Sequence, residues 1–313
     1  MSQTDPHTVD PEDEQRHVPS DDALWNESHY LDVVSHDGRV AGYVRIGLYP
    51  NLGVTWWTAM VVGPDRPVVA SVAYDLAVPE MGLGLHGAGF AMDTDVEAPL
   101  DRVRVHGTAP ATVLDEAADV YRDDPGRPTS LGLDLTWTTD GVPYQYDVTT
   151  RYEIPCLVGG TITVGDEVLA VAGHGQRDHS WGVRDWWAFG WCWFAGRLED
   201  GTRVHGADIR IPGHSLALGY VQQHAGEPVT VTGLDVTEVT DADGFPTTGR
   251  ARIEPGGIDL TIDPVAFGPL VLTATDGRVS RFPRAQVRLT AADGRQGSGW
   301  VEWNQPQPAA EGR

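Results

Sequence analysis

Lysine is absent from this chain: all 22 basic residues are arginine, against 45 acidic ones, for a net charge of −23. Without lysine there is no Schiff-base nucleophile and no lysine clamp for a transferred phosphate. The scarcity of positive charge also argues against nucleic acid as a partner, because a phosphate backbone is neutralised by a basic surface. Cysteine is scarce too, and Cys156 and Cys192 are too few for a disulfide framework and lack the paired spacing of a zinc site. No apolar run approaches the roughly 18 residues of a membrane span. The opening MSQTDPHTVDPEDEQRH is acidic and polar, unlike a secretory signal. These absences lead to the expectation of a soluble, cytoplasmic protein with no integral membrane association.

What is present is β patterning. The 313 residues allow about two domains, and 37 Gly with 22 Pro imply many turns. Runs such as Arg102-Val103-Arg104-Val105, Leu131 to Trp137 and Gln286-Val287-Arg288-Leu289 alternate apolar and polar residues, the period of a half-buried strand. Asp-Gly pairs recur at 37/38, 140/141, 200/201, 243/244, 276/277 and 293/294, a strong hairpin signal. Roughly 16 to 18 strands can be counted, enough for two barrels or sandwiches of about eight. One short helix is expected near 112–122, where Val113, Leu114, Ala117, Ala118 and Tyr121 follow Thr112 at helical spacing.

Residues 1–22 hold seven acids against one arginine and few apolar groups to offset ordering entropy, so they read as a disordered tail. The expected organisation is then a first barrel over 23–165, a second over 166–304, and a second flexible tail over 305–313.

Two local motifs carry little chemistry. Gly82-Leu83-Gly84-Leu85-His86-Gly87 matches the dinucleotide fingerprint, but no helical pattern follows to meet a pyrophosphate, so it reads as a glycine-rich loop. His174, Asp178, His179 and His205 could be assembled into a metal site, yet His-x4-His on extended backbone is not a ligand spacing. No metal and no cofactor are expected.

The segment His174 to Asp208 stands out, with five of the eleven tryptophans between Trp181 and Trp193. On extended backbone Trp187, Phe189, Trp191 and Trp193 would share one face, either as barrel core or as the wall of an apolar pocket. Arg177, Asp178, His179, Arg184 and Asp185 immediately precede them. An aspartate beside an aromatic wall is desolvated and becomes a candidate general acid. The alternative is an Arg-Asp network closing one end of a barrel.

Asp178-His179-Ser180-Trp181-Gly182, then Gly190-Trp191-Cys192-Trp193-Phe194 and Leu198-Glu199-Asp200-Gly201, resembles the pattern of AttH-like proteins and carotenoid 1,2-hydratases (hydroxyneurosporene synthases) in order and spacing. Trp25 to Tyr30, Gly42 to Pro50 and Gly297 to Glu302 resemble an uncharacterised branch of the same superfamily. The resemblance implies an all-β protein of two lipocalin-like antiparallel β-barrels packed side by side around a hydrophobic ligand. It implies Asp178 as proton donor to an alkene, with Trp181, Trp191 and Trp193 lining a cavity or stabilising a cation. The chain departs from the hydratases at Gln176, where they tend to carry an aromatic residue, and in having no histidine between His106 and His174.

The resulting expectation is a protein that encloses an isoprenoid, steroid or lipid-like molecule, as a cofactor-independent hydratase, isomerase or cyclase. Asp178, His179 and Arg184 form the candidate catalytic group, and Trp181, Trp187, Phe189, Trp191, Trp193 and Arg177 the candidate ligand contacts. A non-catalytic carrier, with Arg177 and Arg184 clamping a carboxylate, is the second reading. A carbohydrate-binding sandwich stacking sugars on exposed Trp187, Trp191 and Trp193 is the third. Self-association as a homodimer is compatible with all three.

Overall fold

The computed structural model describes residues 8–122 and 124–308. Contacts divide the chain into two compact units, one of Met1–Val61, Val69–Val113 and Gly126–Arg184, the other of Val62–Val68, Leu114–Pro125 and Asp185–Arg313. The first sheet comprises β1 (Trp25–Ser35), β2 (Ala41–Tyr49), β3 (Val54–Gly63), β4 (Arg66–Ala77), β5 (Leu85–Gly87), β6 (Phe90–Ala98), β7 (Arg102–Leu114), β8 (Arg127–Thr139), β9 (Tyr144–Gln145), β10 (Arg151–Val164) and β11 (Glu167–Val183). The second has β12 (Gly190–Leu198), β13 (Arg203–Ile211), β14 (His214–Gln222), β15 (Val229–Thr230), β16 (Gly233–Thr240), β17 (Pro246–Glu254), β18 (Ile258–Phe267), β19 (Leu270–Thr273), β20 (Val279–Phe282), β21 (Arg284–Ala291) and β22 (Gln296–Pro306).

In the first sheet β4, β3, β2, β1, β11, β10, β8 and β7 are neighbours in that order, and β7 pairs back onto β4, closing an eight-stranded barrel. Its core follows the alternation seen in the sequence: Leu131, Leu133, Leu135 and Trp137 of β8 and Val103 and Val105 of β7 all turn inward. The void left beside Val33, Val44, Ala59, Leu133, Leu135 and Ile162 is about 10 Å³, roughly the room for one water. This stretch of the interior is packed core, with no space for an isoprenoid.

The second sheet runs β15-β14-β13-β12-β22-β21-β18-β17-β16 and curls until β16 meets β13 and β14. Cys192, Phe194, Val204, Ile253, Ile262 and Leu289 belong to its core.

Five of the six Asp-Gly pairs are hairpin turns. Gly38, Gly201, Gly244, Gly277 and Gly294 all have positive φ, and each donates its N–H to the carbonyl three residues earlier, the geometry of a short hairpin loop closed by a left-handed residue. Gly82 to Gly87 leads into the short strand β5 and not into a helix, so the dinucleotide reading has no structural counterpart. The expected helix is a 3-10 turn over Ala117–Arg122, because Thr112 to Leu114 still belong to β7. No helix among the described residues is long and apolar enough to cross a membrane.

Three sequence boundaries differ from the structure. The domain limit expected at 165/166 falls in the turn between β10 and β11, which pair along all of β10, from Arg151↔Ser180 to Val164↔Glu167. The described part of the N-terminal segment packs against the barrel. Val9 lies in the barrel core, 4% exposed, and Glu14 is equally buried, since the barrel supplies partners that composition alone does not reveal. Residues 1–7 of the expected tail lie outside the described residues. At the other end Gln305 and Pro306 complete β22, and residues 309–313 are again outside the described residues.

Gly160 shows how tightly the barrel is drawn. Its φ is +141°, and a Cβ there would lie 1.9 Å from the Asp134 carbonyl oxygen on β8. Gly160→Ala is expected to cost about 2–4 kcal/mol in urea unfolding, through backbone strain and strand displacement. A loss below about 0.5 kcal/mol, the range of a neutral surface change, contradicts this packing.

Candidate active site

The motif strand β11 is buried at every position from Gln176 to Ser180. Its pleat sends alternate side chains to opposite faces. Arg177, His179 and Trp181 face the barrel interior with Glu27 and Leu31 of β1 and Tyr152 and Ile154 of β10, while Gln176, Asp178 and Ser180 lie on the outer face.

On the outer face Asp178, 5% exposed, is level with Glu153 of β10 and Tyr30 of β1. Arg151 bridges the two carboxylates, its Nη2 donating to Asp178 Oδ2 at 2.7 Å and its Nε to Glu153 Oε1 at 2.8 Å. Glu153 also accepts the Tyr146 hydroxyl at 3.3 Å and the Gln176 side-chain amide at 3.0 Å. The Gln176 backbone N–H goes to Asp32 Oδ1 at 2.8 Å. Burial pushes the Asp178 carboxyl up to about 7, and Glu153 adds to the rise, against the opposing charges of Arg151, Arg184 and Arg45. Arg184 is brought down to about 10 by burial and by Arg151, which leaves it cationic at neutrality. Asp32 is also raised well above the ordinary carboxylate range by burial. Tyr49 shares this face through the register of β2 with β1, and its ring lies 4.3 Å from Trp56. A buried carboxyl, the arginine hydrogen-bonded to it and an aromatic pair thus share one sheet face.

The inner face holds a separate set. Arg177 donates to Glu14 Oε1 at 2.8 Å, and the Leu100 N–H reaches the same oxygen at 2.9 Å. His179 Nε2 lies 3.1 Å from Glu27 Oε1 and its Nδ1 3.2 Å from the Tyr152 hydroxyl. Trp181 stacks on His17 at 3.7 Å.

The candidate catalytic trio therefore divides. Asp178 and Arg184 interact, whereas His179, adjacent in sequence to Asp178, points to the opposite face. Trp181 follows His179 and cannot face the same substrate atom as Asp178. The aromatic row also divides: Trp187 is in the turn before β12, with its indole N–H on the Leu272 carbonyl at 3.0 Å, and the strand begins only at Gly190. Phe189 precedes it and is half-buried. Trp191 and Trp193 lie opposite the core-facing Cys192 and Phe194, Trp191 donating to Glu302 Oε1 at 2.8 Å and Trp193 packing on His205. Trp187, Trp191 and Trp193 are only 8%, 7% and 6% exposed, so they offer no open platform, and the sugar-stacking reading is withdrawn. The imagined metal group of His174, Asp178, His179 and His205 does not assemble either: His174 packs near His36, and His205 Nδ1 meets the Phe194 carbonyl at 2.9 Å.

Arg151, Glu153, Tyr146 and Asp32 were not singled out in the sequence. The alternating Arg151-Tyr152-Glu153 was a visible signal of like-facing charges, but only the strand register joins it to Asp178.

Two outcomes follow from this burial. Asp178 holds its proton more tightly folded, at about 7, than unfolded, near 3.8, so its contribution to stability is present at low pH and is lost as pH rises through that window. Between pH 4.5 and 7.5 the stability difference between Asp178→Asn and the native chain should shift in favour of the variant by roughly 1–3 kcal/mol. A pH-independent difference in urea unfolding contradicts the raised pKa. Arg151→Met leaves two buried carboxylates without their cation and should cost about 3–5 kcal/mol at pH 7.5, and less at pH 4.5, below the raised pKa of Asp178, where that carboxyl is protonated. An equal loss at both pH values contradicts the pairing.

A family model described as a domain of unknown function, DUF7064, matches residues 10–307. No curated protein matches the chain in sequence. In fold the chain is similar to a candidate AttH from Nitrosomonas europaea, at 16% identity and TM-score 0.61 over 95% of this chain and 96% of that one. It is similar to kievitone hydratase from Nectria haematococca, at 12% identity and TM-score 0.65 over 97% and 94%, and to CghA, at 12% and 0.58 over 99% and 98%. At such identities the likeness is one of fold, and it is the fold that the AttH-like motif implied. Matched almost from end to end, the chain belongs to the DUF7064 family.

Proposed function

We propose that the protein binds a hydrophobic small molecule of the isoprenoid, steroid or lipid-like class and acts on it by proton transfer from Asp178, in an acid-assisted hydration, isomerisation or cyclisation. The observation that carries this reading is the buried Asp178–Arg151–Glu153 bridge on one sheet face. A carboxyl with its pKa near the working pH is suited to general acid catalysis, and a cation already hydrogen-bonded to it stabilises the carboxylate left when the proton departs. The fold shared with a hydratase supports the reaction class by analogy alone.

In a hydration, Asp178 would give its proton to one carbon of a C=C bond, whose π pair becomes the new C–H bond. Water then attacks the cationic carbon, and the proton it sheds returns to the Asp178 carboxylate, for a net addition of one water. Tyr146 and Gln176 hold Glu153, which with Asp178 holds Arg151. Tyr49 and Trp56, on the same face as the acid, are better placed than Trp181 to offer π density to a developing cation.

The test uses isoprenoid alcohols and steroid enones in oxygen-labelled water, with product followed by mass spectrometry. Native protein should convert at least one substrate, with a mass gain of one labelled water for a hydration, or with a chromatographically distinct product of unchanged mass for an isomerisation or cyclisation. Asp178→Asn should lower turnover about 10²–10⁴-fold while ligand quenching of tryptophan fluorescence stays within a few-fold. Turnover unchanged in the variant would falsify the assignment of Asp178. Quenching without product from any substrate would leave the non-catalytic carrier as the surviving reading.

A further inference from the structure

Beneath the motif strand, on the face that the proposed chemistry does not use, three potential metal ligands converge from three parts of the chain. His17 comes from the N-terminal segment, Glu27 from β1 and His179 from β11, and one ligand atom from each lies within 4.8 Å of the others. His17 Nδ1 is 2.7 Å and His179 Nε2 3.1 Å from the same oxygen, Glu27 Oε1. In tetrahedral zinc, with bonds of about 2.0–2.1 Å to nitrogen and oxygen, neighbouring ligand atoms stand roughly 3.4 Å apart. The present spacings are 2.7 and 3.1 Å to Glu27 Oε1 and no more than 4.8 Å across the group.

The far side of each ligand makes the case stronger than proximity alone. A metal-bound histidine usually gives its other ring nitrogen to an acceptor, which fixes tautomer and ring plane. Here His179 Nδ1 meets the Tyr152 hydroxyl at 3.2 Å, and His17 Nε2 lies 3.5 Å from Asp13 Oδ1. Glu27 Oε2 accepts the His17 backbone N–H at 3.2 Å. Ring planes are held as well, His17 by Trp181 at 3.7 Å and His179 by His29 at 3.8 Å. Glu27 and His179 are 1% and 0% exposed, whereas the His17 side chain is 21% exposed, so a fourth position can be reached by water from that side.

We propose that His17, Glu27 and His179 form a binding site for a divalent transition metal. Two imidazoles and one carboxylate suit zinc, or cobalt as its probe, over the all-oxygen preference of calcium and magnesium. Three protein ligands leave one position open. Since His17 belongs to the segment that leads into the barrel, the ion would also tie that segment to β1 and β11. Without metal the same groups make a hydrogen-bonded network in which both His17 nitrogens face carboxylates.

The experiment titrates zinc and cobalt into chelator-stripped, full-length protein by calorimetry and visible absorption, with thermal unfolding alongside. One zinc per chain, a tetrahedral cobalt spectrum and a raised unfolding midpoint are expected. His17→Gln alters only a part-exposed side chain and should weaken binding at least 100-fold. Tyr152→Phe, which removes only the hydroxyl behind His179, should weaken it about 10-fold or more. Absence of stoichiometric binding by the stripped native chain overturns the proposal. So does equal affinity in native and His17→Gln proteins, which would put the ion on other surface histidines.

Discussion

Because every residue from Gln176 to Ser180 is buried, each charged side chain there must find its counter-charge on the face to which the pleat sends it. An unpaired ion in that position would cost several kcal/mol. On the outer face the demand is met by Arg151, set between Asp178 and Glu153. On the inner face it is met by Glu14 for Arg177, and the His179 ring lies within hydrogen-bond distance of Glu27. Glu14 and His17 both come from the N-terminal segment, so the ordering of that segment follows from the charges on β11.

The absence of lysine bears directly on this arrangement. Arg151 reaches two carboxylates at once, through Nε to Glu153 and Nη2 to Asp178. That takes a planar fork with separated donors, which a single ammonium does not provide. Burial and Arg151 bring Arg184 down to about 10, yet it still carries its charge at neutrality, where a lysine in the same crowd of cations would tend to lose its proton. An all-arginine complement therefore keeps the face electrostatically stable around an acid that itself titrates.

What could be read from the sequence and what could not divides along a physical line. Hairpins were legible because an Asp-Gly pair carries its own turn geometry, as at Gly38 or Gly294. Alternation along Leu131 to Trp137 marked the core for the same local reason. Asp178 stood out through the motif, but Arg151 did not, because their meeting depends on the register Glu153↔Asp178 between β10 and β11. The acidic N-terminus misled in the opposite sense. Its composition indicated disorder, and only the barrel's buried Arg177 shows why Glu14 folds inward. The aromatic row was misplaced because a turn at Asp185 to Phe189 interrupts the extended backbone that period two assumes.

The network around Asp178 is hard to account for as structure alone. A buried ion pair is seldom more stabilising than an apolar pair of similar volume, and a carboxyl raised to about 7 gives up stability in the pH range where its proton becomes labile. An asparagine would keep the shape and a hydrogen bond to Arg151 without that cost. Stability therefore does not call for an ionisable group at this position, whereas proton transfer does, since it needs a proton held loosely enough to leave and a cation ready to receive the charge. Of all the groups on β11, Asp178 meets both conditions through its contact with Arg151, which is why the functional reading is placed on the outer face and the metal-ligand geometry on the inner one.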